Sequence, residues 1–148
     1  YSTDEAETWS EPMMVAPPIG LNGTGFPVLT AGGPGQVALG YLGDSGGDTW
    51  NGYLTVITDA FSPMPLMTTV QVNAWGDPLD TTADCGFNRC GGFGDFNDIV
   101  IDQYGRPWFG LAHNVGGEIG IFGTMAVGPS LRGNGTLTEL PLGGPGTL

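Results

Sequence analysis

Residues 26–75 read FPVLTAGGPGQVALGYLGDSGGDTWNGYLTVITDAFSPMPLMTTVQVNAW, and this stretch decides the fold class. Four short runs, 26–32, 36–43, 49–59 and 66–75, are rich in β-branched, aromatic and small apolar residues. Gly- and Pro-rich turns separate them at GGPG, GDSGGD and AFSPMP. Short strands joined by tight turns predict one antiparallel four-stranded meander. The pattern restarts after the long loop 76–94, with strands expected at 95–102, 107–114 and 119–128. Upstream, EPMMVAPP (11–18) reads as a further strand, and TLTEL (136–140) as an edge strand in a Gly/Pro-rich tail. Helical periodicity is absent from all of these runs. The expected class is therefore all-β, as blades of a β-propeller or as a β-sandwich.

The composition narrows the setting. Of 148 residues, 28 are Gly and 12 are Pro, which suits frequent turns far better than helices. Lys+Arg is 3 against Asp+Glu 15, giving a formal net charge of −12, and lysine is absent. Phosphate backbones repel such a chain, so nucleic acid is excluded as an expected partner, and an anionic membrane surface is disfavoured. No apolar run is long enough for a transmembrane segment. Cys85 and Cys90 stand close in CGFNRC with no His or second Cys pair nearby. Two thiolates alone do not make a metal site, which leaves a small-loop disulfide as the preferred reading over free thiols. With the sequons at Asn22 and Asn134, this points to a secreted, extracellular or cell-surface glycoprotein.

The opening stretch STDEAETW (2–9) fits the pattern S-x-D-x-[GA]-x-T-W, with Ala6 where Gly is usual. It resembles the Asp box of the sialidase-like, BNR-repeat β-propellers, with Ser2, Asp4, Thr8 and Trp9 as its structural residues. An eroded copy at ITDAFSPMP keeps Asp59. AGGPGQVALGYLG, TWNGYLTVITDAF and DCGFNRCGGFGDFNDIVIDQYGRPWFGLAHN are similar to strands and loops of secreted members of that family. The resemblance spans roughly residues 2–127. It implies a single domain holding the end of one blade (1–20), a complete blade (26–75), a further blade (95–128) and a tail (129–148). Such a chain is expected to be the C-terminal part of a larger, processed protein. Its strand around residues 9–16 is expected to pair with the rest of the precursor or with a neighbouring copy.

Blade topology sorts the loops into two faces. On one lie Asp44, Asp48, Asp77, Asp80, Asp84, Arg89, Asp95, His113, Asn114 and Glu118. On the other lie Asp4, Asp59 and Arg106. Sialidase chemistry, as the resemblance implies it, needs an arginine cluster for the substrate carboxylate, a Tyr/Glu nucleophile pair and an Asp acid/base. This chain has only Arg89, Arg106 and Arg132, so no complete catalytic set is expected in it. The candidate glycan- or cation-binding face is Asp44, Asp48, Trp75, Asp84, Arg89, Asp95 and Glu118. Trp75, beside the long loop, is the indole best placed to stack on a sugar. Asp44 and Asp48 are the candidate Ca²⁺ ligands, offering carboxylate oxygens from one loop. Three functions fit: a segment for glycan recognition or surface structure, part of a sialidase-type glycosidase completed by another chain, or an extracellular assembly subunit.

Overall fold

The computed structural model describes residues 1–15, 20–79, 97–113 and 120–137. These residues hold nine strands and no helix: β1 (Gly23–Ala31), β2 (Val37–Asp44), β3 (Trp50–Ile57), β4 (Met67–Gln71), β5 (Asp98–Ile101), β6 (Pro107–Leu111), β7 (Ile121–Thr124), β8 (Gly128–Pro129) and β9 (Thr136–Leu137). They form antiparallel sheets of four, three and two strands, in the orders β1-β2-β3-β4, β5-β6-β7 and β8-β9. The all-β class is thus established, and the expected meander over 26–75 is present as the first sheet.

Register explains which residues are buried. Gly40 pairs with Leu54, Ala38 with Val56 and Leu42 with Gly52, so these six share one face. Ala38, Leu42, Leu54 and Val56 pack from that face against Ile99, Phe109 and Leu111 of the second sheet, with Met125 and Leu131 closing the cluster. A fully buried side chain of this size contributes about 1.5–3 kcal/mol. Gly40 sits under the Phe109 ring, where a Cβ would come within 2.5 Å of Phe109 Cδ2. Any larger residue there would push the sheets apart.

β3 is buried on both faces, and its run WNGYLTVI accordingly lacks polar alternation. Its second face carries Asn51, Tyr53, Thr55 and Ile57. Tyr53 stacks on Tyr41 of β2 with ring centroids 5.8 Å apart. A hydroxyl ladder runs beside it: Tyr41 Oη lies 3.3 Å from Thr55 Oγ1, which lies 2.7 Å from Thr69 Oγ1. The N-terminal segment lies along this side, with the Tyr1 ring 5.1 Å from Phe61 in the β3–β4 turn.

Within that segment the Ser2–Thr8 stretch closes on itself. Ser2 Oγ accepts the Ala6 amide at 2.9 Å. Asp4 accepts both the amide of Thr8 at 2.9 Å and its hydroxyl at 2.6 Å. Hydrogen bonds from the Thr8 side chain and amide, then from Ser2, lower the Asp4 pKa from 3.8 to about 2. Glu5 and Ala6 adopt φ of 57° and 71°, the left-handed region, which is the physical reason Gly suits position 6. Asp59 plays a similar part between β3 and β4, where its Oδ1 accepts the Leu66 amide at 2.9 Å.

Several expectations are corrected. Residues 11–15 form no strand, although 11–18 was expected to be one. Pro12 has no N–H to donate, and among the described residues no neighbouring strand offers a ladder. Trp9 does not pack into a following strand, being 70% exposed. The fourth strand stops at Gln71 instead of reaching residue 75, because the chain turns at Asn73–Gly76. β7 ends at Thr124 rather than 128. Thr136–Leu137 pairs with Gly128–Pro129 in a separate ribbon and does not extend either meander. No helix among the described residues is long and apolar enough to cross a membrane.

At the end of the molecule opposite the β2–β3 turn, residues 130–133 tie the hairpins together. Gly33 donates to Leu131 O at 3.0 Å, and Leu131 donates to Gly105 O at 2.8 Å. Gln36 Nε2 donates to Gly133 O at 2.7 Å.

Candidate functional site

An open cleft of about 490 Å³ lies at the β2–β3 end of the first sheet. Its floor comes from strand residues on the face away from the core: Asn51 and Tyr53 of β3, with Thr69 and Gln71 of β4. Ser45 and Thr49 of the β2–β3 turn form one wall, and Trp75 and Pro78 form another.

Asn73 holds these parts together. It is 5% exposed and uses its whole amide. Oδ1 accepts the Gly52 amide at 2.9 Å, while Nδ2 donates to Asn51 Oδ1 and to Asp77 O, each at 2.9 Å. Asn51 in turn donates to Ser45 Oγ at 3.3 Å. The Asn51 and Asn73 amides are thus each partnered at both oxygen and nitrogen, which makes the floor rigid.

Trp75 stands in the turn Ala74–Asp77, closed by the Asp77 amide on Ala74 O at 3.2 Å. Gly76 has φ 79°, as a turn of this kind requires at its third position. The turn is pinned from behind. Leu79 donates to Trp50 O at 2.8 Å, and Asp77 Oδ2 lies 3.2 Å from Nε2 of the buried His113. Trp75 is left 90% exposed on a fixed backbone at the cleft's rim. The indole is thereby presented to solvent beside the hydrogen-bonding floor.

Chemically the cleft offers hydrogen bonds and an aromatic face. Burial, and then the neighbouring Tyr41, raise the Tyr53 pKa above 10.0 against a lowering hydrogen bond with Asn51. Its phenol is therefore a proton-bearing donor at neutral pH and not a phenolate nucleophile. Among the described residues no charged side chain lines the cleft.

Of the candidate face, Trp75 is at this cleft. Asp44 and Asp48 flank its turn without lining it: Asp44 Oδ1 is occupied by the Gly46 amide at 2.7 Å, and Asp48 is exposed with φ 59°. Among the described residues no group of three or more His, Cys, Asp or Glu is arranged to hold a metal ion. Asp80, Asp84, Arg89, Asp95, Asn114, Glu118 and the pair Cys85 and Cys90 lie outside the described residues. Asn22 and Asn134 are both exposed. Arg106 is not a turn-surface residue. It is 3% exposed, with Nη1 donating to the carbonyls of Met125 and Ala126. Arg132 donates Nε to Asp102 O at 2.8 Å. Both guanidinium groups are thus engaged at the end opposite the cleft.

Sequence reasoning missed Asn51, Tyr53, Thr69 and Gln71 as the floor and Asn73 as the residue that ties it together. The signal was available in VQVN (70–73), where polar residues alternate with valine on the face that the core does not use. No family model matches the chain, and neither a curated protein nor a solved structure matches it.

Proposed function

We propose that the chain is a carbohydrate-binding segment of a secreted, sialidase-like Asp-box propeller, and that it recognises glycan without hydrolysing it. The observation that carries this reading is Trp75, 90% exposed on a pinned turn over a cleft floored by hydrogen-bonding side chains. A pyranose presents C–H groups on one face and hydroxyls around its edge, which suits an indole beside amides and a phenol. The Ser2, Asp4 and Thr8 hydrogen bonds support the Asp-box part of the reading. The engagement of Arg106 and Arg132 elsewhere supports the absence of hydrolysis.

Trp75→Ala is the test. The wild-type chain is expected to be retained on a mixed glycan surface and to leave a fluorogenic sialoside intact. The variant should keep its thermal midpoint and lose at least tenfold in retention. Equal retention of the two proteins would remove Trp75 from any binding role, and sialoside turnover by the wild type would restore the enzyme reading.

A second reading, assembly with another chain, is favoured by the apolar residues left exposed on and around the N-terminal segment. Met14, Leu29, Met64 and Leu66 are 82%, 63%, 86% and 71% exposed. Monomers rarely leave so much apolar side chain uncovered. Light scattering is expected to find a mass above 15.3 kDa at micromolar concentration. A monodisperse monomer under those conditions rejects assembly through this surface.

A further inference from the structure

We propose that the ligand of this cleft is a neutral sugar, bound as a hydrogen-bond donor to Gln71 and Tyr53 with its C–H face on Trp75, and that acidic sugars are rejected. The inference rests on the carbohydrate-binding reading above and specifies the ligand class.

Gln71 carries the argument. Its Nε2 lies 3.2 Å from Asn73 O and 3.4 Å from Ala74 O. Two carbonyls can only accept, so the amide nitrogen must face them. That fixes Oε1 on the other side, where it accepts no hydrogen bond from the described residues. An oriented, open acceptor in a cleft calls for a ligand that donates. Hydroxyl groups do so, whereas carboxylates, sulfates and phosphates only accept.

The other lining groups agree. Ser45, Thr49, Asn51, Tyr53 and Thr69 are neutral, each able to exchange hydrogen bonds with a hydroxyl and none able to neutralise an anion. Asp44 and Asp48 flank the β2–β3 turn beside the cleft, within a chain of net charge −12. An acidic sugar would meet a repulsive field on approach and then lose hydration without gaining a counter-charge from the described residues. The tethering of Asn51 and Asn73 to each other leaves Gln71 Oε1 as the open group, while Tyr53, already hydrogen-bonded to Asn51, keeps capacity for one further bond to the ligand.

The experiment uses the full 148-residue chain and two probes, lactose and sialyllactose. Binding is followed at low salt by the shift of the Trp75 indole N–H in NMR spectra. Lactose is expected to move that signal saturably, and sialyllactose to bind at least tenfold more weakly through it. Gln71→Met keeps the side-chain length and removes the acceptor. It should weaken lactose at least fivefold, with circular dichroism confirming that the variant folds. Tighter binding of sialyllactose, lost on Arg89→Ala, would overturn the neutral-ligand inference and leave the carbohydrate reading standing. Lactose binding unchanged by Gln71→Met would overturn the role of Gln71 and with it the inference. No response to either sugar would sink both.

Discussion

Phe109→Ala is expected to destabilise the protein by about 3–5 kcal/mol, the cost of removing a fully enclosed aromatic ring from a core. Phe109 has no exposed surface and lies between the two larger sheets. Its ring rests on Gly40, and Gly40 has no side chain that could move into the space left behind. Collapse would need the backbones of β2 and β6 to approach each other, which the surrounding Leu42, Leu54 and Leu111 oppose. The site should therefore retain most of the cavity and show a loss near the upper end of the range. For a chain of this length the thermal midpoint should fall by roughly 10 °C. The companion variant Gly40→Val should also destabilise, through overpacking against the same ring. Urea unfolding of both measures the effect, and a loss below about 1 kcal/mol for Phe109→Ala would show that the sheets are not packed through this ring.

Asp102→Ala carries the second large effect, expected at about 2–3 kcal/mol. The carboxylate organises the β5–β6 hairpin. Oδ1 accepts the amides of Tyr104 at 2.8 Å and Arg106 at 2.9 Å, and Oδ2 accepts the indole N–H of Trp108 at 3.1 Å. Alanine would strand these donors, and Arg106 is buried. Partial burial pushes the Asp102 pKa up. The Trp108 indole, the Arg106 and Tyr104 amides and the Arg106 charge together outweigh that and leave it below 3.8. Since the folded value is lower than the unfolded one, the contribution is fully present above the unfolded value and is lost as pH falls through the folded one. Wild-type stability should therefore decline as pH falls from about 5 towards 3, and Asp102→Asn should decline less over the same window. Identical pH profiles for the two proteins would show that Asp102 does not couple folding to protonation.

β-branched strands and Gly-rich turns made the class legible, because short extended runs and frequent chain reversal leave a direct mark on the sequence. The meander over 26–75 is one such case, as each of its turns is marked by Gly, Pro or Asp. The strand expected at 11–18 misled, since Met13, Met14 and Val15 look like a strand but a strand needs a partner as well as a composition. Arg106 reads as a surface turn residue after Gly105, and only tertiary placement buries it. The cleft is intermediate. Trp75 stood out because it borders the long loop, whereas Gln71 became informative only when its Nε2 was seen to be committed to two carbonyls.

The bond from Gln36 to Gly133 joins residues 97 positions apart, and its weaker companion to Ser130 O spans 94. On a ribosome the first hairpin emerges long before the residues that complete it. Until then the Gln36 amide has no lasting partner, and the loop that must close is most of the chain length. Closure of so long a loop costs entropy before any contact rewards it, which places this protein among slow folders. The loop at 130–133 thus acts as a late clasp: the first sheet assembles from neighbours in sequence, and the hairpins are locked together only when residues 130–133 arrive.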